Sequence, residues 1–140
     1  MILLDTNLVS EWMKPAPAPA VIAWLDRQPP ADLYLSAVVV SEIETGIALL
    51  PDGRRRDRVR LAADAVLGAF QGRCLPFGCA AGPFYADILA RSRRLGRPMS
   101  VEDAQIAAIA RAHRMDLATR NLADFDFLDD LTLIDPWRVA

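Results

Sequence analysis

The chain has few of the residues whose chemistry is recognisable on sight. It contains two cysteines and one histidine in 140 residues. Cys74 and Cys79 have no histidine near them, so they make a poor metal site. They could form one disulfide, but without an export signal the expectation is two reduced, partly buried thiols. No apolar run approaches the roughly 20 residues that a membrane helix needs. Asp5 interrupts the opening apolar run, and no basic start or cleavage site marks a signal peptide. These absences lead to the expectation of a soluble, cytoplasmic protein without membrane contact. Lysine is nearly missing too: of 16 cationic residues, only Lys14 is not arginine. The formal net charge of −2 leaves no global positive field to attract nucleic acid. There is no internal repeat and no low-complexity segment.

What remains is globular in character, with 53% hydrophobic and 24% charged residues. A chain of this length is most simply one domain, 1–140, large enough to bury a core. Ile2-Leu3-Leu4 reads as a strand too apolar to have a wet face, as in the centre of a parallel sheet. A brief helix from Leu8 to Met13 is broken by the Pro/Ala stretch after Lys14, and a second carries Val21, Trp24 and Leu25. Leu33–Ser36 is a second strand. A helix through Val39, Ile43, Ile47 and Leu50 follows, stopped by Pro51-Asp52-Gly53. Arg54–Phe70 is a charged helix, and a short strand lies near Cys74–Pro76. Phe84, Ile88 and Leu89 mark a helix closed by Gly96 and Pro98. Ser100-Val-Glu-Asp103 has the form of a capping box and opens a helix running to His113. Asp116–Thr119 and Leu131–Ile134 complete a set of about five strands. Strands separated by helices predict an α/β/α three-layer sandwich with a mostly parallel sheet.

In such folds ligands gather beyond the carboxyl ends of the strands. Asp5 directly follows the first strand. It is either a helix cap there, if the next helix begins at Thr6, or a functional acid on a rigid mount. Glu42 borders the buried stripe of its helix, whereas Glu44 lies on the more exposed side. Asp103 is in line with Ile106, Ala107 and Ala110, the apolar face of its own helix. Completing the capping box is one explanation, but a pure cap need not point inward, and Glu102 would serve the helix dipole from the surface. Three carboxylates at one sheet mouth would raise each other's pKa unless a cation neutralised them. Hard divalent ions such as Mg²⁺ and Mn²⁺ favour such oxygen donors. They can activate water and bind a phosphoryl oxygen.

Four stretches then occur in order: LLDTN around Asp5, SEIETG around Glu42, SVEDAQIAAIA around Asp103 and LATRNLADF from Leu117. In this order the sequence resembles the PIN-domain family, and within it the VapC- and FitB-like toxins of bacterial toxin–antitoxin pairs. The likeness runs from Ile2 to about Ile134. Each stretch alone is common, and their succession is specific. The resemblance implies a PIN-like fold and an Mg²⁺-dependent endoribonuclease, with Mn²⁺ as a substitute. Its acids would be Asp5, Glu42 and Asp103, both catalytic and metal-binding, with Thr6 and Asn121 completing the catalytic set. Thr119 matches the hydroxyl that often ends the fourth strand. Relatives frequently carry a fourth acid where this chain has Asn121, a departure that weakens a second metal site. Asp124 either restores that charge as a further ligand or caps the Phe125 turn. The resemblance further implies an RNA substrate, a cognate antitoxin and a homodimer.

Other features have plainer readings. His113 falls near a helix C-terminus, where a partly cationic ring suits the dipole. Trp12, Trp24 and Trp137 are expected in the core or an interface. Arg54, Arg55, Arg56, Arg58 and Arg60 form either a solvated helix face or a patch for RNA phosphate or a protein partner. Two alternatives to an enzyme stand beside the leading reading. One is a catalytically degenerate PIN fold acting through partners. The other is a receiver-like Mg²⁺-binding module, disfavoured because no acceptor aspartate ends the third strand and the sole lysine is Lys14.

Overall fold

The computed structural model describes residues 1–138. Five short segments make the sheet: β1 (Ile2–Leu4), β2 (Leu33–Ser36), β3 (Cys74–Leu75), β4 (Asp116–Ala118) and β5 (Leu133–Ile134). Their spatial order is β3-β2-β1-β4-β5, and every neighbouring pair is parallel. Parallel neighbours need long crossovers, and helices supply them. α1 (Thr6–Trp12) and α2 (Pro19–Asp26) separate β1 from β2, and α3 (Ala37–Ala48) and α4 (Arg54–Gly68) separate β2 from β3. α5 (Gly82–Arg94) and α6 (Val101–Ala112) lead to β4, and the four-residue α7 (Leu122–Phe125) leads to β5. This is the expected three-layer α/β/α sandwich. β1 lies at its centre with Leu3 and Leu4 fully buried, which explains why that strand has no polar face.

Several local expectations change. α1 begins at Thr6 and not Leu8, so the chain turns from strand to helix in one residue, Asp5. β5 is shorter than Leu131–Ile134 because the Leu131 amide bonds back to the Leu128 carbonyl in a turn. Cys74 and Cys79 are exposed, not partly buried. β3 pairs only with β2 and is an edge strand, and Cys79 opens a 3₁₀ turn after it. Desolvation by the surrounding chain still pushes the Cys74 thiol upward. The helix ends are as read from the sequence: Gly96 follows α5 with φ 61°, a left-handed conformation that costs glycine little.

α6 is the most deeply buried helix. Ala104, Ile106, Ala107, Ala108, Ile109 and Ala110 have no exposed surface. The alanines let α6 approach its neighbours closely, and that placement carries Asp103, in its first turn, to the end of the sheet. Ala107→Leu should therefore overpack the core and cost about 1–3 kcal/mol, read as a lower denaturation midpoint. An unchanged midpoint would mean that α6 has free space beside it.

Candidate active site

β1 connects onward to β2 on one side and is flanked on the other by β4, which joins much later in the chain. The strand order reverses at this point, and in open α/β sheets a crevice opens there beyond the carboxyl ends. Asp5 and Thr119 are the first residues past β1 and β4. The Asp5 amide donates to the Ala118 carbonyl at 3.0 Å. The Thr119 hydroxyl, itself fully buried, donates to Asp5 Oδ2 at 2.5 Å. The Asn121 amide donates to the same hydroxyl at 3.1 Å. Asp5 holds the N-cap position of α1, but its side chain makes no capping hydrogen bond of normal geometry. Burial pushes the Asp5 pKa upward, against the Thr119 hydroxyl and the nearby Thr6 and Asn7 amides, which favour the charged form.

Glu42 comes from α3. The Ser36 hydroxyl, at the end of β2, accepts from the Val39 amide at 3.2 Å and starts that helix. Glu42 then lies half-buried one turn further on, where Thr6 Oγ1 donates to its Oε1 at 2.8 Å. Asp103 lies in the first turn of α6. The helix cap is supplied by Ser100, whose hydroxyl accepts from the Asp103 amide at 3.1 Å. The Asp103 carboxyl is pushed up to about 6, first by burial and then by the negative charges of Asp5, Asp124 and Glu42, with the Ser100 hydroxyl opposing. Four acids from four separate elements thus act on one another at one end of the sheet.

Asn121 is exposed at the N-cap of α7. Asp124, in the first turn of that helix, turns back: its charge raises the pKa of both Asp5 and Asp103. Two side chains, Phe125 and Arg97, hold this segment in position. Phe125 is fully buried. Arg97 donates to the Ala123 carbonyl, pairs with Asp126 at 2.6 Å and stands 5.1 Å above the Phe127 ring. The hydroxyl matched at Thr119 is in the site, bonded to Asp5, whereas the sequence reading gave Arg97 no place there. Thr119 had a detectable signal, a lone hydroxyl at the end of an apolar strand. Arg97 had none, because its partners are fixed only by tertiary packing. His113 is exposed at the C-terminal end of α6, away from the helix end that carries Asp103.

None of Asp5, Glu42, Asp103 or Asp124 has a cationic partner among the described residues. Neither do three Asp, Glu, His or Cys side chains among those residues stand ready-gathered as a ligand set. The donors are nonetheless all hard oxygens with uncompensated charge, and that chemistry fits a divalent ion such as Mg²⁺ or Mn²⁺.

The raised pKa of Asp103 makes a stability prediction. The folded state binds this proton more tightly than the unfolded chain does, so the ionised carboxylate opposes folding above about pH 6 and ceases to do so as pH falls toward 3.8. In chelator at neutral pH, Asp103→Asn should be more stable than wild type, on the order of 1 kcal/mol after solvent screening. Thermal unfolding across pH should show that gain closing toward acid. A variant that is less stable at neutral pH would mark the carboxylate as a structural cap.

Residues 2–129 match the PIN domain family. The chain is 43% identical to the VapC ribonuclease Y4jK of Sinorhizobium fredii, with all of both chains covered. It is 38% identical to the toxin FitB of Neisseria gonorrhoeae over 99% of each chain. Its fold superposes on the crystal structure of FitAcB from the same organism with a TM-score of 0.89, covering 99% of this chain and 100% of that one at 38% identity. A FitAB complex bound to an IR36 DNA fragment gives a TM-score of 0.90 at 38% identity, covering 100% of this chain and 98% of that one. A parallel sheet with acids at its switch point, and likeness over nearly the whole length, lead to one conclusion: this chain belongs to the PIN domain family.

Proposed function

We propose that the protein is the endoribonuclease toxin of a toxin–antitoxin pair, hydrolysing RNA phosphodiester bonds with Mg²⁺, or Mn²⁺ in its place. It would act in the cytoplasm as a homodimer and be neutralised by a cognate antitoxin. The observation that carries this reading is the set of four acids without cationic partners where β1 and β4 end. Support also comes from the full-length VapC ribonuclease and FitB toxin relatives, and from the FitAB complexes.

Asp5, Glu42 and Asp103 would hold the ion, with Asp124 as a further acid close by. A divalent ion held by these acids would supply polarisation of a phosphoryl oxygen and a water acidic enough to act as nucleophile at neutral pH. The chain's own groups do the positioning. Thr119 donates to one oxygen of Asp5 and fixes the orientation of that carboxylate. Thr6 does the same for Glu42, so the two acids are oriented by neighbouring hydroxyls. Asp103, held up to about 6 by burial and by its acidic neighbours, is mostly ionised at neutral pH, and a cation among these acids would offset their mutual repulsion. The Asn121 amide oxygen can accept a hydrogen bond but adds no charge, so one firmly held ion is expected before RNA binds.

The receiver-like alternative has little to rest on. β3 is Cys74-Leu75 and offers no carboxylate, and Lys14 is paired with Glu11 at 2.5 Å. A degenerate PIN fold is separated from the active enzyme by experiment. Asp103→Asn should lower cleavage of total cellular RNA in Mg²⁺ or Mn²⁺ by about a hundredfold or more, with an unchanged circular dichroism spectrum. Full cleavage by the folded variant would remove Asp103 from the machinery, and no cleavage by wild type would favour the degenerate fold.

Asn121 supports a prediction of the opposite sign. Asn121→Asp supplies a carboxylate at the position where this chain has an amide, and should tighten Mn²⁺ binding in calorimetry. Two tight sites already present in wild type would overturn the single-ion expectation.

A further inference from the structure

Beside the acids lies a groove of about 640 Å³ between α1, α3 and α4. It begins at Thr6 and Glu42, so it is continuous with the candidate site. Ile43 and Ile47, both almost fully buried, form part of an aliphatic floor with Met13 and Val59. Arg55 and Arg58, one helical turn apart on α4, line the groove as well.

The arginine cluster divides in two here. Arg56 pairs with Asp52 at 2.5 Å, and Arg60 holds Glu44 at 2.6 Å and Asp64 at 2.7 Å. Arg55 and Arg58 are exposed and have no acidic partner among the described residues. The cations that α4 needs for packing are therefore not the ones that line the groove.

Gly46 keeps the groove wide at its floor. It lies within α3, where glycine is less stable than alanine, and it lines the groove. A Cβ built there meets nothing within 4 Å, so no neighbour within the chain demands a glycine.

We infer that this groove seats the RNA strand flanking the scissile phosphate. Arg55 and Arg58 neutralise its phosphates, one base rests on the aliphatic floor over Gly46, and the exposed Ser10 hydroxyl is within the lining to meet a base edge. This inference rests on the ribonuclease reading and adds a subsite to it. Charge favours RNA over a protein partner: Arg55, Arg58 and the Glu11-paired Lys14 line the groove, and Glu42, where the groove meets the site, is the one carboxylate in the lining. The lining holds no aromatic ring, so the base is held by aliphatic contact and not by stacking.

The test uses the full chain and a labelled, random-sequence single-stranded RNA oligonucleotide, kept uncut by EDTA and followed by anisotropy over a range of salt. Arg55→Ala/Arg58→Ala should weaken binding about tenfold and lower the slope of log K against log salt by about 0.7 per arginine. Gly46→Leu should weaken binding by filling the groove with no change in charge or salt slope, whereas Gly46→Ala should fold more stably. Arg114→Asn removes one charge at the opposite end of the sheet, where φ is 54°, and should leave both affinity and slope unchanged. Equal RNA affinity in wild type, the double arginine variant and Gly46→Leu would overturn the inference and leave the groove to a protein partner. Cleavage by wild type in Mg²⁺ is scored separately. If wild type cuts RNA while the groove variants bind it equally well, only the subsite falls. If wild type cuts none, the ribonuclease reading itself falls.

Discussion

Asp5 is a carboxylate held almost fully out of water at the end of the central strand, and the surrounding site is arranged around that constraint. Desolvating a carboxylate costs several kcal/mol when no partner offsets it. The offset here comes from the register of β1 against β4, in which Leu4 lies opposite Ala118. The next residue on each strand then meets its counterpart, and Thr119 becomes the hydrogen-bond donor to Asp5. A slip of one residue would put Ala118 or Arg120 in that place. Neither could donate from a buried hydroxyl, and every core side chain of the strand would turn over with it. The apolar faces of β1 and β4 enforce the register, so the hydrophobic core is what aligns the polar pair.

The same economy governs charge. Arginines are plentiful, yet their ion pairs lie elsewhere. Arg111 bridges Asp87 and Asp130, Arg97 tethers α7 through Asp126, and Arg60 joins α4 to Glu44 of α3. Arg120 is next to Thr119 in sequence but stands 5.3 Å over the Trp137 ring. A guanidinium among the acids would stabilise the fold by neutralising them. Without one, the Asp5 carboxyl is raised chiefly by burial, and that of Asp103 by burial and then by the charges of Asp5, Asp124 and Glu42. Stability is given up locally, and the rest of the arginine network holds the elements that carry the acids.

How far the sequence alone reached follows the range of the interactions involved. Strands β1, β2 and β4 were legible because apolar runs of three or four residues between helices have few other uses in a parallel sheet. The start of α6 was legible because Ser100 caps it within four residues, and the inward lean of Asp103 followed from helical spacing. The start of α1 was missed because Asp5 ends a strand and precedes a helix at once, leaving no breaker residue to read. The exposure of Cys74 depends on β3 being an edge, which no local pattern reveals. The direction of Asp124 was left open between two readings. It depends on Phe125 finding the core and Arg97 reaching α7 from the far end of α5, both of them long-range contacts. Glu44 was read as surface, and it is half-exposed; its bidentate bond from Arg60 became visible only once α4 was placed beside α3.

That last pair also shows how α3 serves two ends at once. Glu42 and Glu44 are two residues apart, and so about 200° apart around the helix axis. One carboxylate can turn toward Thr6 and the site while the other turns toward α4. The Arg60–Glu44 bond links α4 to α3 beside the groove that lies between them. Arg55 and Arg58 share the helix with Arg60, and a bond at Arg60 places those two guanidinium groups along the groove without contacting them. The pair is half-exposed and individually weak. It acts together with Ala63, Val59 and Val66, which pack α4 against the core.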